Sequence, residues 1–231
     1  MYGKKNSSTS QGVYQKLKEQ ILHLELTPGS AISEIDTAAK YEISRTPVRD
    51  AFKLLEIEGL LEIRPHIGTF VSLIDLNMIS DILYTREVLD QAVLRDLSLS
   101  HDKSHDFKVR LLLQQQWDLV HSQLPAGELS RSFLISDNQF HQMLYTIAGK
   151  QNVMHFFQSI HSQYERFRTF LNLGGKEGLE KLCMDHEHIW DCIATQNLEE
   201  LSTAISHHIY DGFNSSTEIV SRHPEFFCPL H

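Results

Sequence analysis

The sequence contains few cysteines and no long apolar run. Its three cysteines, Cys183, Cys192 and Cys228, are an odd number without close spacing, which argues against a disulfide framework or a cysteine-based zinc site. No segment approaches the ~18 apolar residues of a membrane helix, and the polar residues 1–11 lack the apolar stretch of a signal peptide. We therefore expect a cytoplasmic protein that does not interact with a membrane.

The motifs of several common enzyme classes are also missing. The sequence has no Gly-rich phosphate loop and no Gly-x-Ser-x-Gly elbow. The segment that begins at His186 is similar to a metalloprotease helix, but that motif needs a second histidine four residues later, where Trp190 stands. We therefore expect a protein that is not an enzyme.

Charge and histidine are unevenly distributed along the 231 residues. Residues 1–72 contain nine Lys/Arg and nine Asp/Glu, whereas residues 73–231 contain 12 and 21, which accounts for the whole net charge of −9. A neutral segment can still present a basic surface, because the local field depends on where the charges lie. Of the 14 histidines, 12 lie in residues 73–231.

The apolar spacing divides the chain into two domains flanked by tails. Helices predicted at 12–26, 33–40 and 45–57 are followed by two strand-like segments, 60–64 and 69–73, which is the order of a winged helix-turn-helix domain at 12–73. An all-helical bundle is predicted at 76–216, with helices at about 76–99, 105–121, 128–148, 152–172, 176–195 and 198–216. We expect a mainly α fold, a disordered tail at 1–11 and a second tail at 217–231.

The third predicted helix has a basic face and an apolar face. Arg45, Arg49 and Lys53 follow one another at intervals of four residues, while Val48 and Phe52 lie on another face. A DNA-recognition helix needs this arrangement, because one face anchors the helix and the other offers forked donors to guanine edges or phosphates. A solvated basic face on an ordinary helix is the alternative.

Two further features indicate which residues are expected to contact DNA. Arg45 and Thr46 lie at the N-terminus of the helix, which is the end that usually enters the major groove. Arg64 and His66 lie at the hairpin tip, where they can follow the DNA backbone or enter the minor groove, and Gly68 permits a tight tip. Because one recognition helix contacts few base pairs, we expect a homodimer on a pseudo-palindromic operator.

The amino-acid sequence of residues 12–72 resembles that of the GntR family of winged-helix repressors. The similar segments are SRTPVRDA at 44–51, LEIEGL at 55–60 and RPHIGTFV at 64–71. The resemblance implies that the positions of Arg45, Thr46, Arg49, His66 and Gly68 contact double-stranded DNA.

The helical part directs several ligand-type residues inward. By helical spacing the inward set is one carboxylate and three imidazoles: Asp137, His141, His186 and His208. The neighbouring His188 and His207 are predicted to point outward. Such a set suits one divalent transition metal per chain, and Zn²⁺, Ni²⁺, Mn²⁺ and Fe²⁺ all accept these donors. Hydrogen-bonded histidines in the core are the alternative.

The same segments are similar to the FCD ligand-binding domain of the FadR subfamily, over about residues 76–216. The similarity lies in the run DNQFH at 137–141, in His186 with Ile189, and in His208 with Ile209. It implies that the Asp and three His at these positions bind a metal. It also implies that a small organic or sugar acid is the effector.

Arg86 is a further inward-facing residue, within an apolar stripe of the first helix of this domain. Its guanidinium can bind the carboxylate of an effector, or it can form an internal ion pair with an acid such as Asp137 or Glu87. Together these features predict a metabolite-responsive transcription regulator. The alternatives are an enzyme that uses the Asp/His3 site and a constitutive DNA-binding protein with a structural metal.

Overall fold

The computed structural model of the protein describes residues 3–160, 162–172 and 175–229. These residues form two compact units. The N-terminal unit contains residues 3–76, 162–167 and 223–229, and the helical unit contains residues 77–160, 168–172 and 175–222. Most of the described residues are helical, so the predicted mainly α fold is confirmed.

The N-terminal unit contains three helices and a small sheet. Its elements are α1 (Gly3–Leu22), β1 (Ala31–Ile32), α2 (Glu34–Lys40), α3 (Arg45–Ile57), β2 (Leu61–Arg64) and β3 (Gly68–Val71). The strands form one antiparallel sheet in the order β1-β3-β2, and β2 and β3 form a hairpin with Arg64 opposite Gly68. This is the predicted winged helix-turn-helix.

The core of this unit is built from one face of α1 and one face of α3. Val13, Leu17 and Ile21 of α1 are buried, as are Val48 and Phe52 of α3. Side chains four residues apart lie on the same side of a helix, so their burial turns the opposite side of α3 to solvent. The hydrophobic pattern thus decides which residues of α3 are exposed.

The remaining helices lie in the helical unit, apart from Leu76 and residues 162–167. They are α4 (Leu76–Leu99), α5 (Asp106–Val120), α6 (Ala126–Ile147), α7 (Gln151–Ile160), α8 (Ser162–Asn172), α9 (Lys176–Ala194), α10 (Leu198–Asn214) and α11 (Thr217–Arg222). The predicted helix at 152–172 corresponds to α7 and α8, and His161 lies outside the described residues. None of the described helices combines the length and apolar character needed to cross a bilayer.

The first half of α8 belongs to the N-terminal unit. Gln163 donates to the Gly59 carbonyl at 2.7 Å, and Arg166 donates to the carbonyls of Ser72 at 2.7 Å and Leu73 at 3.1 Å. Burial lowers the pKa of the Arg166 guanidinium to about 10, so it remains charged at neutral pH. These hydrogen bonds satisfy backbone carbonyls on both sides of the wing.

Both predicted tails contain regular structure. α1 begins at Gly3 rather than at residue 12, and the polar residues after Gly3 include no proline that would stop a helix. At the other end α11 is followed by a short 3-10 turn, Pro224–Phe226. Phe227 is buried in a parallel bridge to Ile74, and hydrogen bonds of 2.9 Å link Ile74 to Phe226 and Cys228.

Candidate nucleic-acid interface and candidate metal centre

The exposed face of α3 presents the residues predicted to contact DNA. Arg45, Thr46 and Arg49 are exposed in the first two turns of the helix. Slightly more than half of each arginine side chain is accessible, 56% for Arg45 and 54% for Arg49. The N-terminus of α3 therefore offers two guanidinium groups to solvent.

Glu34 on α2 holds these two arginines together. Its Oε2 lies 3.6 Å from Nη2 of Arg45 and 3.3 Å from Nη2 of Arg49. The sequence alone did not predict this role of Glu34. Glu34 lies on α2 and the arginines lie on α3, and the three side chains meet only because of the turn between the two helices. Exposed ion pairs of this kind are worth ~0–1 kcal/mol, so a phosphate or a base edge can replace the carboxylate at little cost.

The wing places its predicted residues around a tight tip. His66 is exposed with φ 64°, and Gly68 has φ 152°, a backbone conformation that favours glycine. Arg64 donates two hydrogen bonds to Glu62, at 2.9 and 2.8 Å, and lies 4.8 Å from the centroid of the Phe70 ring. Arg64 is thus held along the strand, whereas His66 stands at the tip itself.

In the helical unit three imidazoles meet in the interior. His141 of α6, His186 of α9 and His208 of α10 are buried, and their candidate ligand nitrogens all lie within 4.8 Å of one another. Asp137 lies one turn before His141, with a carboxylate oxygen 3.5 Å from Nε2 of His186 and another 3.7 Å from Nε2 of His141. The four predicted residues therefore lie together.

The spacing of these atoms fits a metal ion. Two donors bound at ~2.0–2.1 Å to one ion are separated by ~3 Å at a right angle and by ~3.4 Å at a tetrahedral angle. Nε2 of His208 and Nε2 of His141 lie 3.3 Å apart, and the distances from Asp137 are only slightly longer. The imidazole donors lie within 4.8 Å of one another, so these side chains would have to move closer together to bind one ion, and Arg86 would have to leave Nε2 of His141.

An outer hydrogen-bond partner orients one of the imidazoles, that of His186. Nδ1 of His186 lies 2.8 Å from Oε1 of Gln116, and because that oxygen only accepts, Nδ1 donates and Nε2 is unprotonated. Nε2 of His186 is buried and has no hydrogen-bond partner among the described residues. Nδ1 of His208 faces Asp185 at 3.7 Å. A hydrogen-bonded partner on the far nitrogen is the usual arrangement behind metal-binding histidines; His186 has it, whereas Nδ1 of His208 has no hydrogen-bond partner among the described residues.

The electrostatics favour neutral imidazoles and a charged carboxylate. Burial and the nearby His208 lower the pKa of His186 to about 3. Burial and the guanidinium of Arg86 hold the pKa of His141 well below its usual range. Burial raises the pKa of Asp137, but Arg168 and the other positive neighbours outweigh it, so the pKa falls below its ordinary value. Neutral imidazole and carboxylate are the protonation states that bind metals.

Two arginines lie against these donors. Nη2 of Arg86 lies 2.8 Å from Nε2 of His141, which therefore accepts, and Nε of Arg86 donates to Asp90 at 3.3 Å. Asp90 is thus a carboxylate partner of Arg86 that the sequence interpretation did not name. Arg168 of α8 donates to Asp137 and, at 2.8 Å, to Asn138.

Sequence interpretation missed Arg168 as well as Gln116. A signal for Arg168 was available, since it follows the buried Tyr164 by one turn and precedes the half-buried Leu171 by three residues. No comparable signal marked Gln116, because a glutamine in an apolar stripe is common. His188 and His207 are predicted to point outward, and their side chains are indeed exposed, with 52% and 53% of their surface accessible.

Comparisons with known proteins cover both units. A family model described as bacterial regulatory proteins of the gntR family matches residues 9–71. A model of the FCD domain matches residues 81–211, which is more than half of the chain.

Individual relatives match nearly the whole chain. An HTH-type transcriptional regulator in an unstable DNA locus of Streptomyces ambofaciens is 31% identical over 218 residues, 94% of this chain and 88% of that protein. The HTH-type transcriptional repressor RspR of Escherichia coli (strain K12) is 25% identical over 94% of this chain and 93% of its own. A solved GntR transcriptional regulator from Rhodococcus sp. RHA1 has the same fold, with a TM-score of 0.70 at 19% identity over 93% of this chain and 98% of that chain.

Proposed function

Because the chain belongs to the GntR family of bacterial regulatory proteins and contains an FCD domain, we propose that it is a metabolite-responsive repressor that binds a pseudo-palindromic operator as a homodimer. The winged helix is the DNA-binding domain of a transcription regulator, and the FCD domain is its effector-binding domain. Repression is favoured by the similarity to RspR, which is a repressor.

The observation that carries the effector side of this proposal is the meeting of three buried imidazoles beside a buried carboxylate. Asp137, His141, His186 and His208 would hold one divalent transition metal. When bound, such an ion supplies a Lewis-acidic anchor for a carboxylate or hydroxy acid in its remaining coordination positions. We expect a small organic or sugar acid, with Arg86 binding the same anion through paired hydrogen bonds.

The DNA side of the proposal depends on the exposed N-terminus of α3. Arg45, Thr46 and Arg49 would enter the major groove, with the two guanidiniums exchanging Glu34 for base edges or phosphates. His66 and Gly68 at the wing tip would approach the adjacent backbone or minor groove, and Arg64 would contact phosphate after release from Glu62.

Exposed apolar side chains on the helical unit support the dimer. Tyr84 and Val88 lie one turn apart on α4 and are 65% and 52% exposed, and Phe107 and Leu111 on α5 are 77% and 48% exposed. Contiguous exposed apolar patches are typical of protein interfaces, so we propose that the two protomers meet at these side chains. A symmetric dimer would double the number of base pairs contacted by α3.

The test combines metal analysis with operator binding. Purified protein is assayed for bound metal and screened by thermal shift against organic acids, and every acid that stabilises it is tested for its effect on operator affinity. We expect one divalent ion per chain, stabilisation by an acid only in the metal-loaded protein, and a change in operator affinity with that acid. An acid that stabilised metal-free protein equally would contradict the proposed pocket.

A matched pair of variants distinguishes the site from general damage. His186→Ala should remove the metal and the acid response, while His188→Ala, an exposed histidine two residues away, should retain both. If the metal is bound but no acid changes operator affinity, the ion is structural and the protein binds DNA constitutively.

A further inference from the structure

Two guanidinium groups lie on donor atoms of the candidate metal centre. Arg86 donates to Nε2 of His141 across 2.8 Å, and Arg168 donates to Oδ2 of Asp137. Both side chains are largely buried, with 9% and 12% of their surface exposed. A nitrogen lone pair that accepts from a guanidinium cannot bind an ion at the same time, so Arg86 competes with an ion for His141.

Among the residues that the structure describes, the charges of the two buried arginines and their carboxylate partners balance without a metal. Arg86 and Arg168 are matched by Asp90 and Asp137, and imidazoles that serve as ligands are neutral. A divalent ion adds two positive charges to a volume in which uncompensated charge is costly. Asp185, whose side chain is more exposed at 17%, offsets at most one of them. A bound ion therefore calls for an anionic companion.

The two arginines differ in the carboxylate with which each pairs. Arg86 pairs with Asp90, which is separate from the candidate ligands. Arg168 pairs with Asp137, which is itself a candidate ligand, and it also donates to the amide oxygen of Asn138. Metal binding at Asp137 therefore changes the surroundings of Arg168 directly.

On the basis of the proposed metal centre, we propose that the effector is a dicarboxylate whose two carboxylates bind Arg86 and Arg168, and that Arg168 makes metal binding depend on this dianion. Without the anion, Arg168 stays on Asp137 and opposes metal binding. A carboxylate that accepts from Arg168 leaves Asp137 to the ion. The metal and the dianion then strengthen each other's binding reciprocally, and a monocarboxylate, which engages one guanidinium, does so more weakly.

The experiment measures Ni²⁺ binding by isothermal titration calorimetry to full-length, metal-stripped protein in the presence of succinate, acetate or neither, at equal carboxylate concentration. Wild-type protein should bind Ni²⁺ at least about tenfold more tightly with succinate, within the usual range of coupling between sites, and should respond less to acetate. Arg168→Met should bind Ni²⁺ alone more tightly than wild type and should lose the succinate response. Arg110→Met, which removes an exposed guanidinium from the same unit, should behave as wild type.

The outcomes separate this inference from the proposed function. Ni²⁺ binding that is equal with and without succinate, or weakened in Arg168→Met, would overturn the inference and make Arg168 an outer partner that orients Asp137, with the metal centre intact. Absence of Ni²⁺ binding in every sample would overturn the metal centre and the inference together. The wild-type comparison of succinate with acetate needs no variant, so it decides the question even if Arg168→Met fails to fold.

Discussion

Arginine–carboxylate pairs occur in both units of the molecule, but in different surroundings. In the winged helix Arg45 and Arg49 share Glu34, and more than half of each arginine side chain is exposed. In the helical unit Arg86 pairs with Asp90, and less than a tenth of either side chain is exposed. Water and salt weaken the exposed pairs, whereas breaking a buried pair leaves a charge that is costly unless another partner replaces it.

The difference determines what each region can bind. If DNA binds at α3 as proposed, the exposed guanidiniums exchange Glu34 for phosphate, so affinity there should depend on salt and only base-edge contacts should add sequence selectivity. At the proposed effector site, the buried guanidiniums should exchange partners only for a group of matching charge and shape, so that site should select its ligand by these two properties.

Removal of both exposed arginines of α3 has the largest expected effect. Arg45→Ala/Arg49→Ala should lose about 2–6 kcal/mol of operator binding, because a contact from arginine to a base edge is worth about 1–3 kcal/mol. Fluorescence anisotropy with operator DNA selected from a random library measures the loss, with Arg110→Ala as the control. Metal content and thermal stability should stay at wild-type values, and undiminished operator affinity would contradict the role assigned to α3.

Removal of a buried candidate metal ligand should affect the helical unit. His208→Ala should lose the metal and the stability that it confers, about 4 kcal/mol at a metal concentration about 1,000 times the dissociation constant. His207→Ala, the exposed neighbour, should keep both. Metal analysis and denaturant unfolding with and without metal measure the two quantities. The opposite result, loss in His207→Ala and retention in His208→Ala, would contradict the assignment of the inward face of α10.

The buried histidines should also make the metal-free protein sensitive to acid. The pKa values of His141 and His186 are depressed in the folded state, so below about pH 6.5 the unfolded chain binds more protons. Stability is therefore fully present above that pH and falls as the pH is lowered, by about 1.4 kcal/mol per pH unit for each histidine. Denaturant unfolding of chelator-treated protein between pH 7.5 and pH 5 measures this slope.

A variant pair assigns the acid sensitivity to the cluster. His186→Asn should reduce the slope of unfolding free energy against pH by about the contribution of one histidine. His188→Asn should leave this slope unchanged. Equal slopes in wild type and His186→Asn would show that His186 is not held in its neutral form.

The smallest effect is expected at the wing. Arg64→Ala removes an exposed guanidinium that Glu62 holds along the strand. If Arg64 contacts phosphate, operator and non-operator DNA should be weakened alike, and the slope of log affinity against log salt should fall by about 1. Salt titrations of both DNAs measure the change. Weakening confined to the operator would indicate a base contact instead.

The sequence predicted the two architectures and the clustering of Asp137 with three histidines because periodicity alone determines which face of a helix is buried. Periodicity does not determine which helices are neighbours. Gln116 behind His186, Arg168 on Asp137 and Glu34 between two arginines are contacts across elements. Local spacing indicates at most that Arg168 lies on an inward face, and it does not identify the partner of any of the three residues.

The missed elements are short or polar. β1 has two residues, and it is a strand only because Ala31 and Ile32 pair with β3. Its existence depends on a partner about 40 residues away, which an alternating pattern over two residues cannot show. The same reason applies to the C-terminal segment, whose bridge to Ile74 is a long-range contact.

That bridge has a consequence for synthesis on the ribosome. Ile74 leaves the exit tunnel long before Phe227, which follows it by about 150 residues. The winged helix can collapse early around α1 and α3, but its contacts with residues 223–229 form only after the helical domain has been translated. A fragment ending near residue 76 would therefore leave Ile74 without the neighbours that bury it. Studies of the winged helix on its own therefore need residues 223–229 as well.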